Sequence, residues 1–118
     1  EELSIQEIGE ELKKISKLCR DLKIDKKEFF GGSMTISSLG GIGGTFFTPI
    51  INPPEVAILG VGKSFDKLVK DKNKIISRKI LPISLSYDHR IIDGAEGARF
   101  CVYLGKCLGK DFAFKLAV

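Results

Sequence analysis

The stretch 33–62, SMTISSLGGIGGTFFTPIINPPEVAILGVG, decides the fold. Its first part, SMTIS (33–37), alternates: Met34 and Ile36 fall on one side and Ser33, Thr35 and Ser37 on the other, the period of a half-buried strand. Its last part, EVAILGVG (55–62), is a short unbroken apolar run, the pattern of a strand covered on both faces. Between them, residues 38–55 hold four glycines and three prolines and fit neither regular element. They predict a long ordered loop carrying Phe46, Phe47, Ile50 and Ile51, and loops of that length in small domains are commonly functional or interfacial.

Upstream, Ile5, Ile8, Leu12, Ile15, Cys19 and Leu22 recur at threes and fours, placing one apolar stripe on a helix. Ser4 and Glu7 fit a capping box at its start, Glu10 and Lys14 an i,i+4 ion pair on its polar face, and its end is expected near Asp21–Lys23. The stripe predicts a helix packed on a core. Because this helix begins almost at residue 1, the chain reads as a piece of something larger. Residues 25–32 read as a turn.

Downstream, 64–77 reads as a hairpin turning at Asp71–Lys74. KILPISLSY (79–87) alternates as one strand, with Leu81, Ile83, Leu85 and Tyr87 on one face. Pro82 cannot donate to a ladder and marks an edge, a strand start or a bulge. DGAEGARFCVYLGKCLGK (93–110) predicts a second helix opened by an Asp93–Glu96 capping box. Strands between two helices place the chain in the α/β class.

At 118 residues the chain is one small domain at most. Its 19 basic and 15 acidic residues are spread without a dense basic stripe, so charge does not point to nucleic acid. No apolar run approaches membrane-spanning length and no signal peptide is visible, so the expectation is a soluble intracellular protein with no membrane partner. Cys19, Cys101 and Cys107 lack CxxC spacing, and with a single histidine no usual zinc set exists. The cysteines read as small buried hydrophobes in a reducing compartment.

That single histidine, His89, ends the run SYDHRIIDG (86–94) at a strand-to-helix junction, where side chains are both held and accessible. Imidazole is the side chain best suited to move protons near neutrality, and Asp88 and Arg90 are placed to fix it, directly or through the backbone. A packed structural histidine fits the same motif. Asp93 serves as an N-cap whether or not it has a further role. The GGIGG run (40–44) resembles a phosphate cradle, but no helix start and no P-loop lysine follow it. Ser37 and Ser38 read as turn formers unless another element meets them.

Together, SYDHRIIDG and the 31–62 block resemble the dihydrolipoyl acyltransferases, the core components of the 2-oxo acid dehydrogenase complexes. The wording is most like the acetyl branch, that of pyruvate dehydrogenase. The resemblance implies a chloramphenicol acetyltransferase-like two-layer sandwich, here its C-terminal half: a mixed sheet with flanking helices over residues 1–118, without lipoyl or subunit-binding domains. It implies acyl transfer between dihydrolipoamide and coenzyme A, with His89 as general base, Ser37 donating to the oxyanion, and Asp93 holding the active-site turn. Asn52 and Thr48 match positions close to the substrates. Lipoate carried on another domain and coenzyme A are the implied cofactor and substrate, with no metal. Implied partners are two further copies in a trimer, with His89 and Ser37 of each site coming from neighbouring copies, a hollow core of twenty-four or sixty chains, and the decarboxylase and dihydrolipoamide dehydrogenase of the complex. Its setting would be the bacterial cytoplasm, or the mitochondrial matrix in a eukaryote. Two other readings stand beside it: a non-catalytic assembly segment of the same complex, and an unrelated ligand binder using the glycine loop.

Overall fold

The computed structural model describes residues 2–109, in two units. The first contains helix α1 (Ile5–Arg20) and a 3-10 turn (Lys26–Phe29). Ser4 Oγ accepts the Glu7 N–H (3.2 Å) while the Glu7 carboxylate accepts the Ser4 N–H (2.7 Å), completing the expected capping box. The bond from the Ser4 N–H holds the Glu7 carboxyl below its ordinary range. At the other end the Lys23 N–H reaches the Leu18 carbonyl and the Leu22 N–H reaches that of Cys19. Leu22, at φ 54°, sits in the left-handed position of this Schellman-type stop. Two expectations fail here. The apolar stripe is not buried, with Ile5 57% and Leu12 61% exposed, and Glu10 and Lys14 form no ion pair.

The second unit, Gly32–Lys106, is built on β1 (Thr35–Ser38), β2 (Ala57–Val61) and β5 (Ile83–Tyr87), in the order β1-β2-β5. β1 runs parallel to β2 and β5 antiparallel to it, so the sheet is mixed, as expected. The apolar run became the central strand: Ala57, Ile58 and Leu59 are the buried hydrophobic core among the described residues. Helix α2 (Gly94–Cys107) packs on β5 through Gly97, where a Cβ would come within 2.9 Å of the Tyr87 ring. It ends at Cys107 rather than at 110, a residue outside the described ones.

The glycine/proline loop has no helix or strand and folds back on β2. Leu39 donates to the Val61 carbonyl (2.9 Å), Lys63 donates to that of Gly44 (2.9 Å), and the Phe47 ring lies on Gly60. At Gly62 a methyl would collide with the Thr45 carbonyl and touch Pro82. Because a carbonyl cannot swing aside as a side-chain tip can, Gly62→Ala should destabilise the chain by about 1–3 kcal/mol, read as a lower denaturant midpoint at unchanged slope.

β3 (Phe65–Asp71) and β4 (Lys74–Ile80) form a separate two-stranded hairpin. Lys72 and Asn73, both at positive φ, supply its two-residue turn at the expected place. Its ion pairs, Asp71–Arg78 and Asp66–Lys79, are solvent-exposed and contribute little. The run 79–87 is not one strand. Lys79 and Ile80 finish the hairpin, and the chain re-enters the main sheet at Ile83 with the Pro82 carbonyl accepting the Gly62 N–H. Pro82 thus precedes a strand start, where its missing N–H costs nothing. All three cysteines are free and half-buried, a correction to their expected full burial.

Candidate active site

His89 owes its place to what happens when β5 stops. Tyr87 is the last residue in register, opposite Ala57, and the next N–H, that of Asp88, reaches the Val56 carbonyl (2.8 Å). The Asp88 carbonyl then accepts the N–H groups of Ile91 (3.0 Å) and Ile92 (2.9 Å), closing a tight turn with His89 exposed at its crest. Asp93 ends the turn and starts α2, its Oδ1 accepting the Glu96 N–H at 2.8 Å. The Glu96 side chain returns no bond, so half of the expected capping box forms.

The imidazole lies beside Tyr87, ring centroids 5.7 Å apart and planes tilted by 34°. Its Nε2 faces the first residue of α2, 4.0 Å from where a Cβ on Gly94 would stand. Gly97 leaves the space that the Tyr87 ring occupies, a role that the sequence reading missed. A glycine inside the first turn of a helix, following a strand aromatic, was the available signal. A cleft of about 520 Å³ opens on the same side, between His89, Tyr87, Pro53, Pro54 and Glu55. Asn52 lies between Ile51 and Pro53, which line that cleft.

Across the turn the Arg90 guanidinium grips the Asp88 carboxylate, Nε at 2.9 and 3.2 Å and Nη2 at 2.7 Å. These bonds, with that from the Arg90 N–H, hold the Asp88 carboxyl down at about 2. A depressed carboxyl stabilises the folded state above its ordinary range, and that contribution is lost as pH falls toward 2. The fork is therefore fully formed at neutral pH.

Ser37 stands elsewhere. It pairs with Gly60, which pairs with Ser84, five residues before His89. Three residues along β5 and two strands across put Ser37 about 14 Å from Tyr87, with His89 in the turn beyond it. Thr48 lines a different hollow, of about 300 Å³, with Phe47, Ser84 and Ser86. Within one chain, then, His89 and Asp93 are neighbours, Asn52 adjoins their cleft, and Ser37 and Thr48 are not brought to them. Among the described residues no cluster of three or more histidine, cysteine or carboxylate side chains could hold a metal, and no helix is long and apolar enough to cross a membrane.

A mixed sheet whose last strand turns a histidine out at the start of a helix has recognisable relatives. The description "2-oxoacid dehydrogenases acyltransferase (catalytic domain)" matches residues 1–113, and the chain belongs to that family. It is 55% identical over 108 residues to the dihydrolipoyllysine-residue acetyltransferase component of the pyruvate dehydrogenase complex of Cupriavidus necator, covering 92% of this chain and 19% of that protein. The Haemophilus influenzae protein of the same name is 55% identical over 88% of this chain and 18% of its own length. The chain thus spans about a fifth of these curated relatives. Among solved structures, the Azotobacter vinelandii dihydrolipoamide acetyltransferase superposes with a TM-score of 0.88 at 46% identity, over 95% of this chain and 46% of that one. That structure belongs to a study of a serine, a histidine 52 residues after it, and an asparagine four further on, in the catalytic mechanism. The cubic core of the pyruvate dehydrogenase multienzyme complex matches equally well.

Proposed function

We propose that this chain carries part of an active site that transfers an acyl group, acetyl by the names of its relatives, between dihydrolipoamide and coenzyme A. The observation that carries the reading is one of spacing. His89 follows Ser37 by 52 residues and precedes Asp93 by four, the same intervals as the three residues studied in the Azotobacter enzyme, with aspartate here in place of asparagine.

In this mechanism His89 takes the proton of the attacking thiol, which is only partly ionised at neutral pH. The thiolate adds to the thioester carbonyl, and the Ser37 hydroxyl donates to the resulting oxyanion. Collapse expels the other thiolate, which recovers the proton from the imidazolium. Asp93 caps α2 and so holds the end of the turn that carries His89. No protein nucleophile takes part. Asn52 and Thr48 contact the substrates beside the two halves of the site.

The family resemblance implies that the serine of each site comes from a neighbouring copy, and the two strands that separate Ser37 from the β5 end carrying His89 support that reading. The loop offers apolar surface for such an interface, with Ile42 88%, Phe46 70% and Ile50 84% exposed. The same reading makes residues 1–118 a portion of a larger catalytic domain. Trimers would build a multimeric core, cubic or larger, that binds the decarboxylase and dihydrolipoamide dehydrogenase. The bacterial relatives favour the cytoplasm.

The test is thioester exchange by the full chain in its assembled state, with free dihydrolipoamide and acetyl-, succinyl- or branched acyl-coenzyme A. Acetyl transfer should be fastest. Exchange with none of the three, in a preparation of intact oligomers, would leave the assembly segment as the surviving reading.

A further inference from the structure

His89 is held entirely by its neighbours. Among the described residues its own N–H and carbonyl make no hydrogen bond, and it sits exposed on the crest of the turn. Apart from the Tyr87 ring beside it, the imidazole is placed by the backbone, which is fixed one residue to either side. On one side is Asp88, with every polar function engaged. Its N–H is tied to β2 through Val56, its carbonyl to Ile91 and Ile92, and its carboxylate to Arg90. On the other is Arg90, whose N–H bonds Asp88 Oδ1 at 3.0 Å while its guanidinium forks onto both carboxylate oxygens.

We propose that the Asp88–Arg90 fork is a positioning pair for the general base. By closing a charge-assisted bracket across His89, it fixes the backbone angles on both sides of that residue and presents one imidazole orientation to the thiol. This rests on the reading of His89 as the base and goes beyond it, because it gives a role to Asp88 and Arg90, which that reading leaves without one.

The exposures of the two partners argue for a positioning role rather than a contribution to stability. The Asp88 side chain is 19% exposed, anchored at the end of the sheet, whereas that of Arg90 is 89% exposed and packs on nothing that would need it. An exposed pair of this kind adds little to global stability. It does remove one local freedom, rotation of the 88–90 segment, at the place where misplacing a catalytic group by about 1 Å can cost a hundredfold in rate. The planar fork also defines an orientation, which a point charge cannot.

Steady-state kinetics on the full assembled chain, using acetyl-coenzyme A and dihydrolipoamide, test the proposal with four variants beside His89→Ala. Arg90→Ala should lower kcat by about 10- to 100-fold with KM for both thiols and the melting temperature unchanged. Asp88→Asn keeps an acceptor for the Arg90 N–H but loses the charged fork, and should lose a comparable factor. The double variant should be no worse than either single one, since both remove the same bracket. Arg90→Lys should recover only part of the loss. A rise in KM with kcat intact, losses that multiply in the double variant, or wild-type turnover in Arg90→Ala would overturn the proposal. If His89→Ala itself retains full activity, the general-base reading fails first, which separates the two outcomes.

Discussion

Replacing His89 with alanine should lower the rate of acyl transfer by about 10²- to 10⁴-fold at neutral pH, with folding and assembly unchanged. The second half of that expectation follows from the geometry. The side chain is exposed, and no hydrogen bond of the turn passes through it. The turn is closed by Asp88, Arg90, Ile91 and Ile92, so its truncation removes one stacking contact with Tyr87 and leaves the backbone in place. The rate loss should also depend on pH in a predictable direction. Without a base, thiolate comes only from ionisation of the substrate thiol in solution, whose usual pKa is about 8.5. The deficit should therefore shrink as pH rises from 7 toward 9. A deficit that stays constant over that range would mean that His89 serves some purpose other than proton removal. The measurement is the ratio of wild-type to variant turnover at several pH values, with circular dichroism and sizing as controls.

How much of this was legible beforehand differs from one element to the next. The central strand β2, the hairpin turn at Lys72–Asn73 and both helices follow from local patterns, because an unbroken apolar run, a two-residue turn and a 3.6-residue period each have one good solution. The break between β4 and β5 was hidden because strands on both sides of Leu81–Pro82 alternate in phase, so the pattern runs on through the point where the chain changes sheets. The stripe of α1 shows which face is apolar and says nothing about what covers it, so its exposure could not be foreseen. At the site, the nearness of His89 to Asp93 was legible from their four residues of spacing. The gap between His89 and Ser37 was not, since it depends on strand order and register, which pair residues far apart in sequence. The Asp88–Arg90 fork lay between: its charges were plain, but its bidentate geometry needs the turn to have formed.

The consequence of that register is the second large effect. Ser37→Ala should cost about 10²- to 10³-fold in rate through loss of an oxyanion donor, and His89→Ala is near silent as argued above. If one chain supplied both groups to a site, a mixture of the two variants would be as inactive as either alone. The register keeps Ser37 about 14 Å from Tyr87 within a chain, with His89 in the turn beyond it, out of reach of one thioester carbonyl and its attacking thiol. With the site shared head-to-tail between copies, oligomers formed from equal amounts of the two variants contain some interfaces in which an intact Ser37 meets an intact His89. Random assembly makes those about a quarter of all sites. Co-expression of the variants under two tags, followed by tandem purification, should accordingly give hybrid oligomers with about a quarter of the wild-type activity, at least tenfold above either parent. The control is to mix the purified single variants without subunit exchange, which should restore nothing. Hybrids that remain as inactive as the parents would exclude a shared site, and Ser37 would then have to be withdrawn from the mechanism, because the sheet leaves it no route to His89 inside its own chain.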